Sequence, residues 1–481
     1  MYRKQFLLTT RSDFRYHWNS EQIGEFRLFC HPHLSYTCKR GTRADLFLLG
    51  ELYDWENPRL TNEQILESLA GVKSVGELLS GVSKYSGEYV LISRFDQDIF
   101  VFNDACGQAE VYYDDDFSSF ATQPKLLGEV IDLRPHEDPV AGEFYRSGIF
   151  KKKTLFIGES THHKNIRHLL PNHFIHVNDK TVSRFFPVIP LPELSPEHVA
   201  DKASLMLKGY LKAISCRNEI ALAVTGGYDS RVLFLASLET DCMYYVLKHT
   251  GMTDSHYDIS VPRELTSLYH RNFLVIPDPG CNAGDEEYVN SVDFPRFIDF
   301  SGADFLTKRV LVNGNVSEVA RNYFGYYKNL SGEELSRLNG YQNARFPAAY
   351  YGVWLKKNKA FFSELGYHYL DLFYWEEKMG IWGAKAKTEF NSLNKTVTSP
   401  FNSRDLLVLL LSVKREYRDS HFNRLYNQLI RKLSQGREEV TQIPVNPCRK
   451  QKMIRLMKWL NVYQLYRIFV LKLRTLEKFR S

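Results

Sequence analysis

No uncharged apolar stretch in this chain of 481 residues reaches the eighteen or so residues that a membrane-spanning helix needs. Cysteine is sparse and poorly spaced for pairing. Seven occur, at 30, 38, 106, 216, 242, 281 and 448, an odd number with no C-x-x-C pair, which argues against a disulfide framework and against a zinc ribbon. No secretory leader is visible, because Met1-Tyr2-Arg3-Lys4 runs into a short apolar stretch broken by Thr9, Thr10, Arg11 and Asp13. Internal repeats and low-complexity segments are missing, which excludes a solenoid. So are the Walker loop, the G-x-G-x-x-G fingerprint and the G-x-S-x-G elbow. His31-Pro32-His33 and His162-His163 have no further ligands at metal spacing, and Asp114-Asp115-Asp116 reads as a charged hairpin turn. These absences point to the cytoplasm and to a folded enzyme of ordinary make-up, 44% hydrophobic and 25% charged. A chain this long exceeds one hydrophobic core and is expected to form two or three domains.

What is present centres on residues 219–233. The apolar run Ile220-Ala221-Leu222-Ala223-Val224 suits a buried parallel strand, and it stops at Thr225-Gly226-Gly227-Tyr228-Asp229-Ser230 before a second apolar run at helical spacing. Two glycines at a strand-to-helix switch let backbone N–H groups approach an anion, and the helix adds the positive end of its dipole, so the loop suits a phosphate or pyrophosphate. Thr225 and Ser230 can donate hydroxyl hydrogen bonds, and Asp229 can hold a magnesium ion. Downstream, Tyr244-Tyr245-Val246-Leu247 and Phe273-Leu274-Val275-Ile276-Pro277 read as further strands separated by helical stretches, the pattern of a doubly wound parallel α/β sheet.

Thr-Gly-Gly-Tyr-Asp-Ser resembles the Ser-Gly-Gly-x-Asp-Ser loop of the ATP pyrophosphatases, which split ATP between its α and β phosphates. Upstream, Ser86-Gly87-Glu88-Tyr89-Val90-Leu91-Ile92, Val101-Phe102-Asn103-Asp104-Ala105-Cys106-Gly107, Val111-Tyr112-Tyr113 and Phe120-Ala121-Thr122-Gln123-Pro124-Lys125 read as four short strands. Their order is similar to the class II glutamine amidotransferase domain at the front of asparagine synthetase. Lys164 to His173 and Arg184-Phe185-Phe186 resemble that family's bridge between domains. The resemblance implies an amidotransferase-like layered α+β domain over 1–190, an ATP pyrophosphatase domain over 191–447, and a basic helical tail over 448–481. The wording is closest to bacterial asparagine synthetase-like proteins of surface polysaccharide clusters, where the amide would be placed on a uronic acid.

One departure bears on chemistry. The family's glutaminase nucleophile is an N-terminal cysteine, whereas Tyr2 follows Met1 here, and a phenol with a reference pKa of about 10 is a poor acyl acceptor near neutral pH. Cys30, Cys38 and Cys106 read as ordinary buried thiols.

In the synthetase part the resemblance places adenine at Val246 or Leu247. It aligns Val310-Leu311-Val312-Asn313-Gly314-Asn315-Val316-Ser317-Glu318 with the family's Leu-Ser-Gly-Glu-Gly-Ala-Asp-Glu, so that Gly314 lies by the nucleotide and Glu318 shares magnesium with Asp229. Asn315 then replaces a family carboxylate. His256 and Asp258 read as surface or capping residues, and Glu376-Glu377-Lys378 as a mostly solvated face. A family lysine that acts on the phosphates has Lys414, Arg415, Arg418 and Arg424 as candidates. Asp229→Ala is expected to abolish adenylation and spare the fold.

The activity implied is an AMP-forming ATP-dependent amide ligase that uses ATP and Mg2+. A carboxylate would be adenylated and attacked by ammonia or an amine, without glutaminase. The competing class is a non-catalytic nucleotide-binding regulatory protein, and sulfur transfer would need a reactive thiol near the loop, with Cys242 the nearest. From Arg449 to the end the chain carries +9, leaving −3 on the rest. Its Lys and Arg alternate with Met453, Leu456, Trp459, Leu465 and Phe469, which fits either a helix closing the domain core or a cationic helix on an anionic membrane. The first is the plainer expectation. Nucleic-acid binding is weaker still, since no aromatic sheet module is recognisable.

Overall fold

The computed structural model describes every residue except 250, 278–285, 297–305, 307, 448, 461 and 477–481, so Cys281, Cys448 and Glu477 lie outside the described residues. The front of the chain forms two six-stranded antiparallel sheets. One runs, in spatial order, Ile166–His168, Tyr112–Asp114, Ser119–Ala121, Phe6–Thr9, Phe26–Cys30 and Asn19–Ile23. The other runs Thr181–Arg184, His173–His176, Asp98–Asn103, Tyr89–Phe95, Asp45–Gly50 and Tyr36–Arg40. Side chains alternate across each strand. Phe6 and Leu8 join Phe47, Leu49, Val90 and Ile92 in the core between the sheets. Leu46 and Leu48, on the opposite face, pack with residues of the helices Asn62–Leu69 and Val75–Gly81. Covering both faces explains why these strands read as continuous apolar runs. The four strands expected between residues 86 and 125 are present, except that Pro124 opens a short helix, Pro124–Leu127, which takes in Lys125.

The thiols divide. Cys30 and Cys106 are buried, and burial pushes the Cys30 thiol up to about 12 and the Cys106 thiol well above its ordinary value. Cys38 is exposed, contrary to the expectation of a buried thiol, because Tyr36–Arg40 is the outermost strand of its sheet.

The helix Pro196–Arg217, capped by Ser195 Oγ accepting from the His198 N–H at 3.2 Å, leads into the second half. There five parallel strands lie in the order Phe273–Pro277, Met243–Lys248, Ile220–Ala223, Val310–Val312 and Thr396–Thr398. Numbered along the sheet's own sequence this is 3-2-1-4-5, the doubly wound arrangement. Strand order reverses between Ile220–Ala223 and Val310–Val312, and crevices at the carboxyl ends of strands beside such a reversal hold ligands in open α/β sheets.

Buried polar contacts join the halves. Asn402 Nδ2 donates to Gly87 O at 2.8 Å and to Asp104 Oδ1 at 2.9 Å, and Trp375 Nε1 donates to Ala105 O at 2.7 Å. The Glu-Glu-Lys run is a correction to the sequence reading. It lies in a π-helical segment, Tyr374–Gly383, whose wide turn carries Glu376 and Glu377 into the interior, where they are 0% and 2% exposed. Burial alone would raise Glu376, but the Arg184 guanidinium outweighs it and holds the carboxyl below its ordinary value. Burial and the neighbouring Glu376 push Glu377 well above its ordinary value.

Candidate nucleotide site

Two loops leave the strands that flank the reversal. After Ile220–Ala223 come Thr225 to Ser230 and the helix Tyr228–Ala236; after Val310–Val312 come Gly314 and the short 3-10 helix Asn315–Ala320. They touch because position 314 is glycine. A Cβ there would stand 2.6 Å from Asp229 Cβ. Gly226 is required by packing in the same way, since its Cβ would stand 2.8 Å from a ring carbon of Tyr257. Gly227 differs: its Cβ would meet nothing nearer than Thr225 Oγ1 at 3.7 Å and Asn446 Oδ1 at 3.9 Å, and its backbone is not in a left-handed conformation. The absence of a side chain at 227 keeps open the space over the helix N-terminus, and the first turn has no side-chain cap.

The loop is braced from within and from both sides. Ser230 Oγ accepts from Thr225 N–H at 3.0 Å, lies 3.1 Å from Thr225 Oγ1 and can donate to Thr225 O at 3.1 Å, so this hydroxyl holds the loop's shape rather than waiting for a phosphate. Asp258 is no mere cap: its Oδ1 accepts from Gly226 N–H at 2.8 Å, putting a carboxylate where an anion would be received. His256 does cap its helix, accepting from Asp258 N–H at 3.2 Å. Asn446 N–H donates to Gly226 O at 2.9 Å, and buried Arg231 donates to Ile443 O at 2.6 Å and Pro444 O at 2.9 Å, which fastens the 440–446 segment over the loop helix. Tyr228 is buried, with its ring 6.1 Å from that of Tyr426.

Asp229 and Glu318 lie on either side of Arg321, a side chain that sequence reasoning missed. Arg321 Nη1 donates to Asp229 Oδ2 at 2.6 Å and lies 3.9 Å from Glu318 Oε1. Ser317 Oγ donates to Asp229 Oδ1 at 2.6 Å, and the Tyr374 hydroxyl donates to Glu318 Oε2 at 2.5 Å. Burial favours loss of the Arg321 charge, yet Asp229 and Glu318 together hold the guanidinium more firmly protonated than usual. Burial raises Glu318 above the ordinary carboxylate value, with Asp229 adding to the rise and Arg321 opposing it. Lys378 is within electrostatic range of Glu318, and burial with help from Lys153 lowers its ammonium to about 8. The four cations expected to reach the phosphates are engaged elsewhere. Lys414 pairs with Glu193 at 3.2 Å, Arg415 and Arg418 hold Asp371 at 3.2 and 2.9 Å, and Arg424 lies 5.5 Å over the Tyr417 ring. The signal that could have found Arg321 is its place three residues after Glu318 on a helical turn.

Val246 and Leu247 stand near the carboxyl end of the neighbouring strand. Val246 is buried, and Leu247 packs with Ala223, Tyr245, Ile276 and Leu311. Cys242 is not a reactive thiol, since burial pushes it up to about 12.

No protein-family model matches the chain, and no curated protein matches it in sequence. Solved structures show distant likenesses. An allosteric regulatory enzyme of purine biosynthesis aligns over 60% of this chain and 71% of its own, at 10% identity and a TM-score of 0.26. NMN synthetase from Francisella tularensis aligns over 46% and 94%, at 15% identity and a TM-score of 0.19. Glutamine phosphoribosylpyrophosphate amidotransferase from B. subtilis, complexed with ADP and GMP, aligns over 55% and 64%, at 10% identity and a TM-score of 0.24. At such identities and scores these likenesses say nothing about activity.

The donor set can be tested against magnesium. Both oxygens of Asp229 and the Oε2 of Glu318 already accept hydrogen bonds, and the position between the two carboxylates is filled by the Arg321 guanidinium. Among the described residues no three His, Cys, Asp or Glu side chains converge as a metal site. As arranged, these residues do not fit a resident ion; the fixed positive charge here is Arg321.

Proposed function

We propose that the chain is an ATP-dependent, AMP-forming amide ligase similar to asparagine synthetase, adenylating a carboxylate for attack by ammonia or an amine. The observation that carries this reading is the meeting of the Thr225–Ser230 loop with the Gly314–Glu318 turn at the strand reversal. There an uncapped helix N-terminus, an open Gly227 and the cation Arg321 lie together. Pyrophosphate would rest over Gly227. Its growing charge in the transition state would be met by backbone N–H groups, by Arg321 and by Lys378. Adenine would lie against the ends of the strands near Val246 and Leu247, and Asp258 would give up its bond to Gly226 as the phosphates enter. The carboxylate substrate is proposed to be a uronic acid of a surface polysaccharide.

Glutamine is not the nitrogen source in this reading. The Tyr2 N–H donates to Ser291 Oγ at 2.8 Å and its hydroxyl donates to Glu129 Oε1 at 2.7 Å, with burial raising the phenol further above its ordinary value. A phenol so held is neither a nucleophile nor a base. Purified protein is expected to release no glutamate from glutamine and to accept ammonium or an organic amine. Glutamate release by the chain would overturn this part.

A second reading, a nucleotide-binding protein without catalysis, is favoured by the Asp258 carboxylate on Gly226 and by the Arg321 contact that occupies Asp229. Incubation with ATP, ammonium and a panel of uronic and amino acids separates the two. AMP formed in step with one carboxylate supports the ligase; tight ATP binding with no AMP from any carboxylate supports the binder.

A further inference from the structure

The C-terminal helices Arg449–Trp459 and Tyr463–Leu476 meet the body of the protein through the following contacts among the described residues. Ile454 and Leu471 turn inward and are buried. Lys458 pairs with Asp419, a ring nitrogen of His421 lies 3.2 Å from the Tyr463 hydroxyl, and Gln464 Nε2 donates to Tyr326 O at 2.9 Å. Arg467 spreads 5.4 Å over the Tyr327 ring, and its guanidinium fills the space left by Gly325, where a Cβ would stand 2.2 Å from Nη1. These contacts fix the pair of helices to residues 325–327 and to Asp419 and His421.

Other apolar side chains of the same helices face outward. Met453, Leu456 and Leu460 follow one another at helical spacing and are 53%, 56% and 52% exposed, with Trp459 beside them at 78%. On the second helix Leu465, Tyr466 and Phe469 repeat the pattern at 67%, 48% and 60%. The plainer sequence expectation, in which the tail closes the domain, therefore holds for Ile454, Ile468 and Leu471 but not for this outward stripe. Two such stripes on neighbouring helices, next to each other in sequence, are more than the scattered apolar residues of an ordinary surface.

Charge selects the occupant. The segment from Arg449 onward holds ten Lys or Arg and one acid, whereas the rest of the chain is net negative. A second copy of the tail would bring +9 against +9 and be repelled. Large apolar side chains flanked by Lys and Arg match a surface with negative headgroups above an apolar layer. We propose that the helices Arg449–Trp459 and Tyr463–Leu476 dock the protein on an anionic lipid surface, with Trp459, Leu465 and Phe469 entering the headgroup boundary. The held side of the helices, opposite this stripe, meets Asp419, next to Ser420, whose carbonyl accepts from Arg321 at 3.2 Å.

Full-length protein is sedimented with vesicles of phosphatidylcholine alone and of phosphatidylcholine with phosphatidylglycerol, at low and high salt. Binding is expected to the anionic vesicles only. It should weaken at least tenfold when salt shortens the Debye length from about 10 Å at 0.1 M to about 3 Å at 1 M. A Trp459→Ser/Phe469→Ser double variant keeps every basic residue and, because both side chains are exposed, should keep the melting temperature and size of the parent while binding at least tenfold more weakly. Absence of binding, equal binding to neutral vesicles, or undiminished binding by the double variant overturns the proposal. So does a dimeric parent that becomes monomeric in the double variant without vesicle binding, since the stripe would then be an interface between copies.

Discussion

Gly227 is the residue at which structure and ligand binding separate most cleanly. Its neighbours leave room for a methyl group, so Gly227→Ala should change stability by less than about 1 kcal/mol. The methyl would fill the space over the helix N-terminus, and ATP affinity measured by calorimetry should fall at least tenfold. Gly314→Ala should behave differently. Its methyl would push against Asp229 and part the two loops, with an overpacking cost of about 1–3 kcal/mol in chemical denaturation and loss of the Arg321 contact. Asp229→Ala is not the fold-neutral test that a loop aspartate suggests. The side chain is one-fifth exposed and pairs with Arg321, which is only 11% exposed, so truncation would leave a nearly buried guanidinium without its main partner at a cost of about 3 kcal/mol. The glycines and Asp229 were legible in the sequence because a strand, two glycines and a helix start are local features. Arg321 was not, since an arginine in a turn reads as solvated until the fold brings it to a carboxylate ninety-two positions earlier.

At the scale of elements, four of the five parallel strands were legible from their apolar runs and their spacing, the inner ones because they are buried and bounded by turns, whereas Thr396–Thr398 is too short and too polar to announce itself. The π-helical segment Tyr374–Gly383 was not. Its Glu-Glu-Lys has the composition of a wet face, and it is Arg184, reaching across from the front sheets, together with the Asn172 amide at 3.2 Å, that makes burial of Glu376 tolerable. A buried acid whose burial outweighs its partners titrates in the opposite sense. Glu110 is buried between the Tyr112 and Thr388 hydroxyls, and burial raises its carboxyl from an ordinary 4.5 to about 7. A raised folded value means that its contribution to stability is complete below the unfolded value near 4.5 and is lost as pH rises toward 7 and beyond. Glu110→Gln should therefore flatten the fall in melting temperature between about pH 5 and 8 relative to the parent protein, as followed by calorimetry. Parallel melting curves for the two proteins would show that Glu110 does not titrate in that window.

For the whole molecule, the front sheets and the half built on the parallel sheet are locked by side-chain bonds to backbone such as Trp375 to Ala105 and Asn402 to Gly87, so the front sheets are an integral part of the core. Such pairings, nearly three hundred or more residues apart in sequence, have no local signature. The direction of the tail's apolar side chains was likewise invisible, because composition fits a buried helix and a surface helix equally well. The central claim is that ATP is split between its α and β phosphates at the Gly227 loop, and isotope exchange between pyrophosphate and ATP measures this directly. The parent protein should catalyse exchange only when the right carboxylate is present, and Gly227→Ala, folded and as stable as the parent, should not. Exchange at the same rate in Gly227→Ala would contradict the account, as would ATP hydrolysis to ADP and phosphate in place of exchange.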